Sequence, residues 1–171
     1  MIKVLVSSCL LGEPVRYHGG DARCANEILD RWMAEGRLLP VCPETGAGLP
    51  VPRPPAEIAG GDGAAVLRGE ATVGDSTGLD LTEVFARGAR AALEAARRGG
   101  ARVAVLKDGS PSCATTYIHD GTFRGQRDRG QGVTAALLAE AGIHLFNEHQ
   151  LEEAAACLAQ LEAEEKARAT S

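Results

Sequence analysis

Apolar positions along the chain follow two rhythms. Residues 2–7 (IKVLVS), 38–42 (LLPVC), 101–107 (ARVAVLK) and 143–146 (IHLF) are short, largely apolar runs and read as buried strands. Between them apolar residues recur at helical spacing. Residues 24–36 carry Ile28, Leu29, Trp32 and Met33 on one face and end at Gly36, a C-terminal cap. Residues 79–100 make a long amphipathic helix closed by two glycines, and 132–142 a shorter one. A last helix covers about 148–166, with Asn147 as its N-cap. Three segments break the rhythm. Prolines across 43–55 exclude a regular helix or a central strand there. Residues 64–74 read as a small hairpin or a single strand with a turn, and 108–131 as a long loop rich in Gly, Arg and Asp. Strands alternating with helices predict an α/β fold: a single Rossmann-like three-layer domain over 1–171 with a mainly parallel sheet.

That order places three of the five cysteines at strand ends. Cys9 lies two residues past the first strand, Cys42 ends the second and Cys113 follows the third within a few residues. Open α/β sheets bind ligands outside the carboxyl ends of their strands. Parallel neighbours would therefore bring the three thiols to one crevice. Cys24 and Cys157 fall on predicted helices and read as small apolar residues. With no C-x-x-C pair, zinc-ribbon and thioredoxin motifs are excluded. Three thiolates without an obvious fourth ligand, His18 being the nearest candidate, leave two metal readings open. One is zinc; the other is an iron–sulfur cluster, for which thiolates are the usual ligands. A thiol nucleophile and a set of buried apolar cysteines are the non-metal alternatives.

Composition narrows the partners. Eighteen basic residues against 23 acidic ones give a formal charge of −5, which argues against DNA and tRNA backbones. Six aromatic residues are few for a base-stacking platform. The N-terminal MIKVLVSSC has no signal-cleavage pattern and no window is apolar enough to span a membrane, so a cytoplasmic protein, monomer or homodimer, is expected.

Four segments, VSSCLLGEPVRYHG (6–19), PVCPETGAGLPVPRPPAEI (40–58), LKDGSPSC (106–113) and DGTFRGQRDRGQGVTAALLAEAGI (120–143), together resemble the thiouracil desulfidase family, over about residues 2–150. The resemblance implies an oxygen-sensitive 4Fe–4S cluster held by Cys9, Cys42 and Cys113, with one iron not bound by protein. It implies an enzyme that replaces the sulfur of a thiolated uracil by oxygen and releases hydrogen sulfide. The substrate would be thiouracil, 4-thiouridine or 4-thio-UMP. Glu44 matches the family's catalytic glutamate and Ser110 its serine, with Ser112 the second candidate. Ser8, Arg16, Arg53 and Lys107 lie near the same strand ends and are candidate substrate contacts, the cations for a phosphate if the substrate is a nucleotide. Val15 stands where many members carry a further cysteine, His18 where aspartate is common and Ala114 where glycine is common. A non-catalytic cluster-binding module or redox sensor is the alternative reading.

Overall fold

In the computed structural model, which describes residues 1–171, the elements run in the following order. First come β1 (Lys3–Ser7), a 3-10 turn (Ser8–Leu11), α1 (Glu27–Ala34), β2 (Leu38–Val41) and α2 (Pro43–Gly46). Then come β3 (Ala56–Ala59), α3 (Gly63–Leu67), β4 (Thr72–Asp75), α4 (Thr82–Gly99) and β5 (Ala101–Leu106). The chain closes with β6 (Tyr117–His119), β7 (Arg127–Arg129), α5 (Val133–Glu140), β8 (His144–Asn147) and α6 (Leu151–Ala169).

Four strands form one all-parallel sheet in the order β2-β1-β5-β8. The two-residue alternation of side chains divides β1 and β5 between its faces. Val4, Val6, Val103 and Val105 point to one side, where Leu29 and Trp32 of α1 and Leu151, Ala154 and Leu158 of α6 cover them. Leu5, Ala104 and Leu106 point to the other, against Leu93 and Ala96 of α4 and Ala135 and Leu138 of α5. Helices on both faces make the expected three-layer α/β fold, and burial on both faces explains why these strands read as continuous apolar runs. A third apolar cluster, with Ile58, Val66, Val73, Phe85, Ile118 and Val133 at its centre, packs β3, β4, α3 and the β6–β7 hairpin beside the sheet.

Several sequence expectations need correction. The proline-rich segment contains one helical turn, α2, because Pro43 occupies its first position, where no N–H is needed and the fixed φ suits a helix. Residues 64–74 are not a hairpin by themselves. Asp62 caps Ala65 N at 3.0 Å and starts α3, and β4 pairs antiparallel with β3, which lies before that helix. The long loop contains the antiparallel pair β6–β7, in which Tyr117, Ile118 and His119 face Arg129, Asp128 and Arg127. Asn147 does not cap the last helix: it ends β8, and α6 starts at Leu151 after Gln150. No helix is long and apolar enough to cross a membrane.

Candidate active site

The sheet order puts β1 between β2 and β5, with Ser7 opposite Val41 and Val6 opposite Val105. The segments leaving these three strands therefore start at one level. They open into a cavity of about 610 Å³ whose walls include Cys9, Cys42, Cys113, Glu44, Ser110 and Arg16. Cys9 and Cys113 are buried, Cys42 half-buried, and all five cysteines are free thiols. No three His, Cys, Asp or Glu side chains sit closely enough to hold a single metal ion. The three thiols line one cavity. An all-sulfur donor set is the chemistry an iron–sulfur cluster takes.

Burial dominates the electrostatics of Cys9 and Cys113. It pushes Cys9 up to about 11, with Cys42 adding to the rise and Arg16 and Lys107 opposing it. Cys113 is pushed up to about 12, again by burial first, opposed by a hydrogen bond from Ser7 and reinforced by Cys9, Glu44 and Cys42. Left to themselves these two thiols stay protonated at neutral pH. Ligation by metal replaces their protons.

The turn that carries Cys113 is held from three sides. The Asp108 carboxylate accepts N–H bonds from Gly109, Thr115 and Thr116 at 3.0 Å each, together with the Thr116 hydroxyl and the Asn147 amide. Asn147, at the end of β8, thereby ties the turn to the edge strand. The first N–H groups of α5 reach across, Val133 to Pro111 O and Thr134 to Ser112 O, both at 2.9 Å. Gly132 permits this approach, since a Cβ there would lie 2.4 Å from the Ser112 carbonyl carbon. Finally Ser110 Oγ accepts from Ser112 N and Cys113 N, both 3.1 Å.

Asp108 is 6% exposed. Burial alone raises its carboxyl, but the bonds from Thr116, Thr115 and Gly109 outweigh that and hold it below the usual carboxylate range. A depressed folded-state value means stabilisation that is complete above the unfolded value of about 3.9 and is lost as pH falls through the folded one. Asp108→Ala orphans several buried donors, each costing about 1–3 kcal/mol. We expect a loss of at least ~3 kcal/mol at pH 7 in urea unfolding, shrinking as the pH falls below about 4. Equal stability of variant and wild type at pH 7 would contradict this account.

The two candidate serines face different ways. Ser110 lines the cavity; with two N–H groups bound to its oxygen, its own hydroxyl hydrogen remains free to donate. Ser112 does not line it. It is 1% exposed and its Oγ pairs with Thr134 Oγ1 at 2.8 Å inside the fold, so its place as a catalytic candidate is withdrawn. Glu44, the second residue of α2, presents Oε1 to Arg53 Nη2 at 3.3 Å and Nε at 3.4 Å. Its Oε2 makes no hydrogen bond and stays accessible. Burial raises the Glu44 carboxyl, with Arg53 and Arg16 opposing.

The candidate cations are also sorted. Arg53 is committed: besides Glu44 it donates to Val15 O (2.9 Å) and Pro50 O (3.1 Å), and its side chain is 6% exposed. Lys107 is paired with Glu148 at 2.8 Å and also donates to Asp108 O. Both line the cavity, but each is already paired with a carboxylate, so neither is a free cation. Arg16 lines the cavity with no ion pair, and Ser8 lines it too. Sequence reasoning missed Arg127, which also lines the cavity without a carboxylate partner, its guanidinium 4.4 Å from the Tyr117 ring centroid. It also missed Ser7, whose Oγ accepts Lys107 N at 3.0 Å beside Cys113. The doubled serine before Cys9 was the available signal for Ser7; nothing local marked Arg127, one of several arginines in a polar stretch.

Comparison with known proteins places this arrangement. A solved structure named as the 4Fe-4S-dependent thiouracil desulfidase TudS is 45% identical, with 94% of this chain and 99% of that one covered and a TM-score of 0.85. The Bacillus subtilis (strain 168) protein YbbK is 43% identical over 148 residues, 86% of this chain and 97% of the relative. The family model described as 2-thiouracil desulfurase matches residues 4–150, which takes in all three strand-end cysteines, Glu44 and Ser110. The chain belongs to the 2-thiouracil desulfurase family.

Proposed function

We propose that this protein hydrolyses the C=S bond of a thiolated uracil, consuming water and releasing hydrogen sulfide with no net transfer of electrons. The observation that carries the reading is the convergence of three strand-end thiols, the accessible Glu44 carboxylate and the Ser110 hydroxyl on one cavity, in a chain of this family. Cys9, Cys42 and Cys113 are assigned as ligands of a 4Fe–4S cluster, which leaves one iron without a protein ligand. When bound, the cluster supplies a soft Lewis acid for the thiocarbonyl sulfur.

The chain's own groups do the rest. Glu44 Oε2 takes a proton from the attacking water; a carboxyl raised by burial is a stronger base than a free one. Arg53 fixes the other oxygen and so aims the carboxylate. Ser110 donates its free hydroxyl hydrogen to the substrate ring, and its geometry is set by two backbone N–H groups rather than by its rotamer alone. Ser8 lines the same wall.

The substrate is a small thiolated pyrimidine: thiouracil, 4-thiouridine or 4-thio-UMP. Arg16 and Arg127, the cavity's guanidiniums without ion-pair partners, suit a phosphate and favour the nucleotide. The net charge of −5 suits a small substrate better than tRNA or DNA. A reducing cytoplasm keeps the thiols available.

Protein prepared without oxygen and reconstituted with iron and sulfide is expected to bind about four irons per chain and release sulfide from 4-thio-UMP. Iron-free protein after reconstitution sinks the cluster. Iron-loaded protein that releases no sulfide from any of the three substrates favours the module or redox-sensor reading instead.

A further inference from the structure

Phe123 is the one non-glycine residue with a positive φ, at +58°. An aromatic side chain in the left-handed region is uncommon and strained. Core packing does not account for it, because Phe123 belongs to none of the three apolar clusters and is 39% exposed. Nor is its loop loose. Glu57 Oε1 accepts both Gly121 N (3.0 Å) and Phe123 N (3.1 Å). Asp120 holds Thr122 through its N–H and hydroxyl. A Cβ at Gly121 would come within 2.8 Å of Ile58 O, so the loop is pressed against β3. The chain therefore fixes an exposed aromatic ring in an unfavourable backbone conformation.

Its position supplies the reason. Phe123 lines the same cavity as the three cysteines, as do Tyr17 and Tyr117. Half of the chain's six aromatic residues thus border one cavity. Strain held in place by surrounding bonds concentrates where a ligand is met. A flat, unsaturated ring is the ligand chemistry that gains most from an aromatic face.

We propose that Phe123, held by Glu57, is a substrate-positioning residue that covers the pyrimidine ring at the mouth of the cavity. The inference rests on the desulfidase reading for the identity of the ring. It does not need the phosphate contact, and it assigns Phe123 no part in proton transfer.

The test uses the iron-loaded protein, with iron content, sulfide-release kinetics and calorimetric binding of uridine, which has no sulfur, measured together. Phe123→Ala and Phe123→Gly should raise KM and weaken uridine binding by about 5- to 50-fold, with kcat within about twofold. Phe123→Tyr should restore both. Glu57→Ala, which frees the loop, should repeat the KM effect. Because only glycine takes the left-handed region without strain, Phe123→Gly should melt about 2–4 °C above Phe123→Ala although both bind poorly. Uridine binding by Phe123→Ala equal to wild type overturns the proposal. Loss of iron in that variant also overturns it, since the residue would then serve the metal site. Absence of sulfide release by loaded wild type sinks the desulfidase reading, and the uridine titration still decides Phe123.

Discussion

Replacing Cys113 by serine is expected to take iron from about four per chain to below about one after anaerobic reconstitution, and to abolish sulfide release. The residue sits at the end of a turn fixed by Asp108, by Ser110 and by the first N–H groups of α5, so its sulfur has little freedom to move away. Serine is close in size and leaves that turn intact. What changes is donor chemistry: a hydroxyl is far harder to deprotonate than a thiol and is a poor ligand for a thiolate-type cluster. Cys9→Ser and Cys42→Ser should behave alike, because each removes one of the three proposed ligands. Cys24→Ser and Cys157→Ser should keep full iron. Cys24 packs against the core with Sγ 3.9 Å from Glu148 O, and Cys157 lies on α6 on the far side of the sheet from α4 and α5. The pattern also separates a cluster from a thiol nucleophile, for which a single cysteine would matter alone. Full iron and turnover in Cys113→Ser would remove the assignment.

What the sequence made legible follows from where each element's energy comes from. β1, β2, β5 and β8 are buried on both faces, so their identity is written in consecutive aliphatic residues. The long loop concealed β6 and β7 because three of the six paired positions are Arg127, Asp128 and Arg129, all exposed; backbone pairing holds them, and pairing leaves no apolar signature. The short α2 was excluded on its prolines, yet Pro43 stands at the one helical position that favours proline. The β3–β4 pair was not visible because a capped helix lies between its strands, and strand pairing across an insertion is not a local property.

The site divides in the same way. Strand-end position alone brought Cys9, Cys42 and Cys113 under suspicion, because a parallel sheet delivers its carboxyl ends to one edge. Roles that depend on a distant partner were not visible. Lys107 and Arg53 looked like free cations until Glu148 and Glu44 were found beside them. Ser110 and Ser112 are neighbours on one turn, and only the contact with Thr134 of α5 shows which of them faces inward. The spare positive charge of the cavity lies instead on Arg16 and Arg127.

Glu44→Gln should leave iron content unchanged while lowering sulfide release by about 10²- to 10⁴-fold, the range for loss of a general base. The substitution is close to isosteric. The amide oxygen can still accept from Arg53, whose further bonds to Val15 O and Pro50 O hold it in place, so the wall of the cavity is preserved. The amide cannot take a proton from water at any pH near neutrality. Glu44→Ala is the harsher change, since it leaves the Arg53 guanidinium, 6% exposed, without its counter-charge, and removing one partner of a buried pair costs about 3–5 kcal/mol. Comparing the two separates chemistry from scaffold: both should lose turnover, but only Glu44→Ala should melt early. Arg53→Ala should retain the cluster and lose part of the rate, because Glu44 keeps its carboxylate but not its aim. If Glu44→Gln turned over within tenfold of wild type while holding full iron, the base would have to be sought elsewhere on the wall. Ser110, already bound by two N–H donors, is a poor candidate for that role.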